Sequence, residues 1–181
     1  MHHHTLTVFA GPQAIASGDR EIAIATLRKL DPNAEKRPVL VFDDVTGEQV
    51  DLDLRESAPE PEPEPRRPGR PKLGVVAREV TLLPRHWEWL NAQPGGASVA
   101  LRKLVEAARR DNAESDRTRR AQEATYRFMT AMAGNEAGFE EACRALYAGD
   151  RDTFRAMTAS WPTDVAQYAD RLAAEAFSAE G

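Results

Sequence analysis

The sequence predicts an α+β protein with a small N-terminal α+β unit and a C-terminal helical bundle. Short runs rich in β-branched residues dominate before residue 57, whereas apolar residues recur every three or four positions after residue 84. Between these patterns lies a run that alternates proline with glutamate, which is typical of an extended spacer. These changes divide the chain into a first unit, a Pro/Glu linker, a basic strand-helix-helix segment and a helical domain, at residues 1–56, 57–68, 69–110 and 111–181.

The first unit has strand patterns on both sides of one helix. Residues 5–9 alternate and are rich in β-branched side chains, which predicts a strand. Asp19 precedes a helical pattern and is the predicted N-cap; the apolar positions of this helix are Ile22, Leu27 and Leu30. Residues 38–42 predict a buried strand, and the alternation in residues 50–54 suggests that these two segments pair as a hairpin.

Four aspartates surround this predicted hairpin: Asp43, Asp44, Asp51 and Asp53. A carboxylate cage for Mg²⁺ or Ca²⁺ is one interpretation, but their spacing fits no known metal-binding loop. We favour the interpretation that two of them cap a turn and two line the solvent face of an edge strand. The histidine run at residues 2–4 is typical of a tag remnant or a frayed terminus. We therefore expect no metal and no other cofactor.

Cysteine content and hydropathy favour a cytoplasmic protein. The single cysteine, Cys143, excludes an internal disulfide, which suits a reducing compartment. No apolar run approaches the roughly 20 residues that a bilayer crossing needs. The first residues also lack the charged region and the apolar core of a secretory signal. We therefore expect no membrane partner.

The charge distribution marks the middle of the chain. Residues 66–110 contain 10 Lys/Arg and 3 Asp/Glu, a net charge of +7, although the whole chain carries −5. The residues before this block have a net charge of −7, and those after it −5. A basic block between acidic ones is expected of a nucleic-acid contact. The alternative is a solvated basic linker that its acidic neighbours neutralise.

The start of this block resembles an AT-hook, whose centre is Gly-Arg-Pro flanked by basic residues. The narrow minor groove of A·T-rich DNA has an enhanced negative potential and admits only a thin, extended peptide. Gly69 removes side-chain bulk there, and the prolines on either side of the Gly-Arg pair keep the chain extended. The resemblance implies that Arg70 lies in the groove and that Arg66, Arg67 and Lys72 contact the groove and phosphates.

The segment from residue 78 to residue 110 resembles a ribbon-helix-helix domain. Residues 80–84 resemble the end of the ribbon, with Pro84 at the first helical position. Residues 95–98 resemble the turn between the helices, with Ser98 near the N-cap of the second helix. The predicted core positions of the two helices are Trp87 and Leu90 in the first, and Leu101, Leu104, Val105 and Ala108 in the second.

This resemblance implies a homodimer whose paired strands enter the major groove of DNA. It places Arg78 and Thr81 at the ribbon, and Ser98 and Arg102 near a phosphate. The sequence departs from the pattern because neither face of residues 78–83 is cleanly polar, so much of any base preference would come from the basic tail. The alternative is a plain helical hairpin that packs on the C-terminal helices, in which Trp87 and Trp89 are core residues.

The C-terminal segment predicts a helix bundle. Apolar positions recur at helical spacing, and residues 149–150 predict a helix end followed by the N-cap of the next helix. An aromatic stripe of this kind can line a ligand pocket, but it is typical of a bundle core. The predicted stripe contains Tyr126, Met129, Ala133, Phe139, Cys143, Leu146, Tyr147, Phe154, Met157, Trp161, Val165, Tyr168 and Leu172.

Nearly the whole chain resembles a bacterial family known only as domain of unknown function 2239. The matching residues lie in segments 41–54, 69–87, 126–129 and 161–164. The resemblance implies that the Gly-Arg-Pro-Lys run and the strand-helix-helix segment belong to one unit. It implies no particular activity, because the family is uncharacterised.

The sequence leaves three classes of function open. We favour a dimeric DNA-binding protein of the nucleoid, either a transcriptional regulator or a nucleoid-associated factor. The alternative is a non-enzymatic adaptor that binds protein through its C-terminal helices. An enzyme would need a pair such as Cys143 and His86, but Cys143 fits an apolar stripe. The chain also lacks a glycine-rich phosphate loop, zinc-ligand spacing and a nucleophile elbow.

Overall fold

The computed structural model describes residues 5–30, 37–55, 76 and 78–177, and its fold is mixed α+β, which confirms the predicted class. Three strands and seven α-helices lie in these described ranges. The chain divides into two compact units, which are described separately below. The first unit combines Met1–Arg55 with Ala113–Gly181, and the second comprises Glu56–Asn112.

The sheet of the first unit has three antiparallel strands in the order β2-β1-β3. They are β1 (Leu6–Ala10), β2 (Gln13–Gly18) and β3 (Val39–Asp43). All five residues of β1 are buried, because the central strand is covered on both faces. The helix α1 (Arg20–Lys29) follows β2, and its predicted N-cap is confirmed: the Asp19 Oδ1 accepts a hydrogen bond from the Ile22 amide at 2.9 Å.

The predicted hairpin between residues 38–42 and 50–54 is wrong. The strand β3 pairs with β1, and residues 50–54 form no strand. One isolated antiparallel bridge, between Phe42 and Gln49, is the part of the expected pairing that forms. The strand β2 was not expected, because Gln13–Gly18 is mostly exposed and has only one β-branched residue. It forms because residues 11–12 make a tight turn that brings it back along β1.

The helical part of the first unit consists of α4 (Ala113–Ala133), α5 (Phe139–Ala148), α6 (Arg151–Thr158), α7 (Thr163–Leu172) and a 3₁₀ turn (Ala173–Phe177). The predicted boundary between α5 and α6 is confirmed. Gly149 ends α5 with a left-handed φ of 75°, and the Asp150 side chain accepts a hydrogen bond from the Thr153 amide at 2.9 Å.

Four aromatic rings join the sheet to these helices. Phe9 and Phe42, from β1 and β3, contact Phe128 of α4 and Tyr168 of α7, with ring centroids 4.4–6.5 Å apart. The sequence predicts separate N-terminal and C-terminal units, whereas this cluster places residues of both in one core. The predicted core stripe includes Tyr126, but this side chain is exposed because it lies on the solvent side of α4. On α5, Tyr147 is exposed for the same reason.

The opposite face of the sheet has its own smaller core. Leu6 and Val8 of β1 pack there with Ala23 of α1, Val41 of β3 and Leu52. Leu52 therefore contributes an apolar side chain as the sequence alternation predicts, although its segment is not a strand.

The second unit contains two helices that pack on each other, α2 (Pro84–Asn91) and α3 (Gly96–Asp111). The predicted position of Pro84 in the first turn of α2 is confirmed. Residues 78–83 form no strand in the single chain. The ribbon of a ribbon-helix-helix domain would require the partner strand of a second copy. Among the helices that the structure describes in both units, none has the length and apolar character of a membrane span.

Candidate nucleic-acid interface

The helix α3 carries the basic side chains of the second unit. Arg102 and Lys103 are exposed near its middle, and Arg109 and Arg110 near its end. The Arg109 Nη1 pairs with the Glu106 carboxylate at 3.0 Å. In contrast, Lys103 has no hydrogen-bond or ion-pair partner among the described residues. This helix therefore presents uncompensated positive charge to solvent.

Ser98 and Arg102 lie one turn apart on α3, as the sequence predicts. The Arg102 Nε donates a hydrogen bond to the Ser98 backbone carbonyl at 3.2 Å. This bond uses one of the five guanidinium N–H groups, which leaves the terminal nitrogens available to a phosphate oxygen. Both residues are exposed.

The start of α3 differs from the prediction by a few residues. The N-cap is Gly95, with a left-handed φ of 87°, and the helix begins at Gly96, so Ser98 is its third residue. Two successive glycines accept the positive φ values that this sharp turn requires. No side chain caps the helix. Amides of the first helical turn can therefore bond to water or to an anion.

Arg78 and Thr81 are exposed in the segment that precedes α2. No hydrogen bond or ion pair among the described residues joins either of them to Ser98 or Arg102, so the single chain does not bring the two pairs together. The other predicted contact residues lie outside the described residues: Arg66, Arg67, Gly69, Arg70 and Lys72.

The second unit exposes large apolar side chains beside its basic ones. Leu90 and Ala100 are the buried apolar residues in its described part. The sequence predicts core positions at Trp87, Leu104, Val105 and Ala108, yet all four are exposed. Further exposed apolar side chains in the same unit are Val76, Val80, Leu83 and Trp89. The described part of this helical hairpin therefore buries little apolar surface of its own.

The favoured interpretation of the four aspartates is confirmed for Asp43, which caps the turn, but the expected edge strand is wrong because residues 50–54 form no strand. The Asp43 Oδ1 accepts from the amides of Val45 and Thr46, both at 2.8 Å. Asp53 accepts from the Arg55 amide at 3.0 Å. Asp51 is exposed. Within the described ranges, no group of three or more His, Cys, Asp or Glu residues is arranged to hold a metal ion.

Asp44 belongs to a partly buried polar cluster between the sheet and α7. Its Oδ1 accepts hydrogen bonds from the Thr7 hydroxyl and from the Tyr168 hydroxyl, each at 2.7 Å. Burial raises the pKa of the Tyr168 hydroxyl far above its usual range, and the bond to the Asp44 carboxylate raises this pKa further. Tyr168 is therefore a permanent donor that holds Asp44 in place.

The two residues of the hypothetical enzyme pair lie in different units. Cys143 is a buried residue of α5, and burial raises the pKa of its thiol, with a smaller contribution from the charge of Glu140. A raised pKa lowers the thiolate fraction and hence the nucleophilicity. His86 is exposed on α2, and its side chain has no partner among the described residues.

One feature of the first unit was missed by sequence reasoning. A cleft of about 460 Å³ lies between the turn at residues 43–47, the helix α4 and the end of α7. Two arginines from different helices, Arg120 and Arg171, line it. No sequence pattern could indicate it, because its walls come from three segments that are far apart in the chain.

The chain belongs to a family described as "Uncharacterized protein conserved in bacteria (DUF2239)", whose model matches residues 5–173. The match spans both units. Comparison with curated proteins and with solved structures gives no match to either.

Proposed function

We propose that this member of the uncharacterized bacterial family is a homodimeric DNA-binding protein whose second unit contacts the duplex. One observation carries the proposal. The segment with the excess positive charge is also the segment whose helices bury only Leu90 and Ala100 among its described apolar residues. A ribbon-helix-helix arrangement accounts for both properties, because a second copy covers the apolar face and the paired strands meet DNA.

The apolar side chains favour a second copy of the chain as the missing partner. Five of these side chains are each 48–55% exposed: Val80, Leu83, Trp89, Leu104 and Val105. Complete burial of such a side chain is worth about 1.5–3 kcal/mol, so covering the exposed half is worth about 1 kcal/mol each. A symmetric dimer gains this burial free energy twice at each position, because both copies use the same surface.

The charges favour DNA as the ligand of that dimer. A net charge of +7 in residues 66–110 of a chain with −5 overall concentrates positive potential on this segment. In this proposal Arg66, Arg67, Gly69, Arg70 and Lys72 enter an A·T-rich minor groove. Arg78 and Thr81 lie at the ribbon, and Ser98 and Arg102 hold a phosphate at the start of α3. The protein acts without catalysis or cofactor, as a transcriptional regulator or a nucleoid-associated factor.

Fluorescence anisotropy with A·T-rich and G·C-rich duplexes across a salt series tests this function. Wild-type affinity should fall with salt at a log–log slope of about −0.9 per neutralised phosphate. Arg102→Ala should weaken binding to both duplexes and reduce the slope by about 1, because it removes one phosphate contact. Arg70→Ala should remove the preference for A·T.

Arg119→Ala is the matched control, because Arg119 is an exposed arginine of the first unit that pairs with Asp116 at 2.9 Å. Its affinity and salt slope should equal those of the wild type. Absence of salt-sensitive binding to both duplexes would contradict the proposal and favour a protein-interaction adaptor.

A further inference from the structure

The cleft of the first unit has the features of a small-molecule site, and we propose that it binds a small organic anion with an apolar body, either a carboxylate or a phosphate ester. It is formed by the turn at residues 43–47, the helix α4 and the end of α7. Its volume of about 460 Å³ lies in the range of small-ligand sites. This inference does not depend on DNA binding, because every lining residue belongs to the first unit.

Arg171 is held in position at one wall of the cleft. Its guanidinium lies 4.6 Å from the centroid of the Tyr168 ring, and its Nη2 donates a hydrogen bond to the Thr7 hydroxyl at 3.1 Å. The same nitrogen is 3.4 Å from the Asp44 Oδ2, a long contact for an ion pair. About half of the Arg171 side chain remains exposed. The guanidinium is therefore oriented in advance, with N–H groups left for a ligand.

The contact with Asp44 leaves the Arg171 guanidinium able to bind an anion. The Asp44 Oδ1 is already engaged by two hydroxyls, those of Thr7 and Tyr168, which stabilise the carboxylate. The Asp44 carboxylate is therefore stabilised by two neutral hydroxyl donors as well as by the Arg171 guanidinium. An incoming anion can consequently bind Arg171 without separating a tight, bidentate pair.

Arg120 supplies a second cation from α4. Its Nε donates to the Asp116 backbone carbonyl at 3.0 Å, and none of the described carboxylates lies within ion-pair distance of its guanidinium. The neighbouring Arg119 differs, because it pairs with the Asp116 carboxylate at 2.9 Å. Two guanidinium groups at one cleft favour an anionic group such as a carboxylate or a phosphate.

The remaining lining favours an apolar ligand body. Ala121 and Ala124 of α4 and Leu172 of α7 line the cleft, and all three are among the buried core residues. Val45 also lines it and is 60% exposed, so this side chain is available to cover a bound molecule. Burial of apolar ligand surface against these side chains adds affinity that an inorganic ion does not gain.

Glu175 makes the proposal sharply testable. It lines the same cleft, and its carboxylate has no hydrogen-bond or ion-pair partner among the described residues. Its negative charge opposes an anionic ligand and attracts a cationic one. Neutralising Glu175 should therefore strengthen the binding of an anion, an effect that loss of folding cannot imitate.

The experiment is an NMR titration of the full-length protein with inorganic phosphate, phenyl phosphate, acetate and benzoate. We expect saturable shifts of the amides of Val45, Ala121 and Ala124, with each aromatic probe binding more tightly than its small counterpart. The stronger of phenyl phosphate and benzoate identifies the anionic group. Arg120→Gln should weaken this binding about tenfold, because it removes charge-assisted hydrogen bonds. Glu175→Gln should tighten it severalfold.

Arg119→Gln is the matched control, since it removes an adjacent arginine that does not line the cleft. Its affinity should match that of the wild type. No saturable shift with any of the four probes would overturn the proposal. Equal weakening by Arg119→Gln and Arg120→Gln, or weaker binding by Glu175→Gln, would also overturn it. These outcomes are independent of DNA affinity, so they do not coincide with failure of the proposed function.

Discussion

At the scale of single residues, the turn at residues 43–47 explains much of how the sheet meets the helices. Asp43 accepts hydrogen bonds from two amides inside the turn, and the Thr46 carbonyl accepts one from the Arg127 Nη1 at 3.0 Å. Gly47 packs directly on the backbone of α4 at Ala124. These contacts therefore fix the position of the turn against α4.

Gly47→Ala is expected to destabilise the protein strongly. Gly47 has a φ of +65°, and a Cβ at this position would overlap the Ala124 carbonyl group. A left-handed alanine costs about 1 kcal/mol or more, and displacement of α4 adds to it. We expect the free energy of unfolding to fall by about 3 kcal/mol in urea titrations.

Gly149→Ala is the control for this prediction, because Gly149 has a φ of +75° but no atom within 4 Å of an added Cβ. It should show the backbone cost alone, about 1 kcal/mol. Equal losses for the two variants would mean that the contact between Gly47 and Ala124 is unimportant.

At the scale of elements, local signals predicted helix ends well and strand pairing poorly. Asp19, Pro84 and the pair Gly149 and Asp150 act at the positions where the sequence places them, because capping depends on neighbouring residues only. The pairing of β3 with β1 joins residues 29–37 positions apart, and no local sequence signal specifies that partner.

The two candidate sites likewise differ in whether local or long-range contacts form them. The contact between Ser98 and Arg102 spans one helical turn, so helical periodicity predicts it. The cleft with Arg120 and Arg171 joins residues that are about 50 positions apart, and it exists only because the aromatic core brings α4 and α7 together. Sequence spacing carries no information on such a site.

Asp170 links two elements and should make stability depend on pH. The Asp170 carboxylate of α7 accepts two hydrogen bonds from Arg155 of α6, at 2.9 and 2.8 Å, and one from Arg151 at 3.4 Å. The bonds from Arg155 hold the pKa of the Asp170 carboxyl below its usual value, and the bond from Arg151 contributes. The unfolded chain therefore binds this proton more readily. The stabilisation is complete above the usual aspartate pKa of about 3.9 and is lost as the pH falls through the lowered folded value.

Asp170→Asn is expected to lower the free energy of unfolding by about 1 kcal/mol at pH 7 and by less below pH 4. Denaturant titrations across this range measure the difference. Asp51→Asn is the control, because Asp51 is exposed and has no partner among the described residues. A constant difference between Asp170→Asn and the wild type at all pH values would contradict the assignment.

At the scale of the whole molecule, the first unit is discontinuous in sequence. The Pro/Glu run predicts a domain boundary near residue 56, yet residues on both sides of the second unit share one core. The reason is the two-faced sheet. Phe9 and Phe42 leave an apolar face that α1 does not cover, and Phe128 and Tyr168 cover it from the C-terminal helices.

In contrast to the first unit, the described part of the second unit has little hydrophobic core of its own. Leu104 and Val105 lie on the face of α3 that the heptad-like spacing marks as apolar, yet about half of each side chain is exposed. A monomer keeps this surface in water, whereas a symmetric dimer removes it. The oligomeric state therefore decides between the proposed dimer and the plain helical hairpin.

Leu104→Asp is expected to convert a dimer into a monomer. The substitution places a charge at the centre of the proposed interface, where burial without a partner is strongly unfavourable. Leu104 is 49% exposed in the single chain, so the fold of the first unit and its helical content should persist. Sedimentation equilibrium should give two chains for the wild type and one for the variant. Ile22→Asp is the control, because Ile22 is 47% exposed on α1 and should leave the dimer intact. A monomeric wild type, or a Leu104→Asp variant that stays dimeric, would exclude this face as the interface.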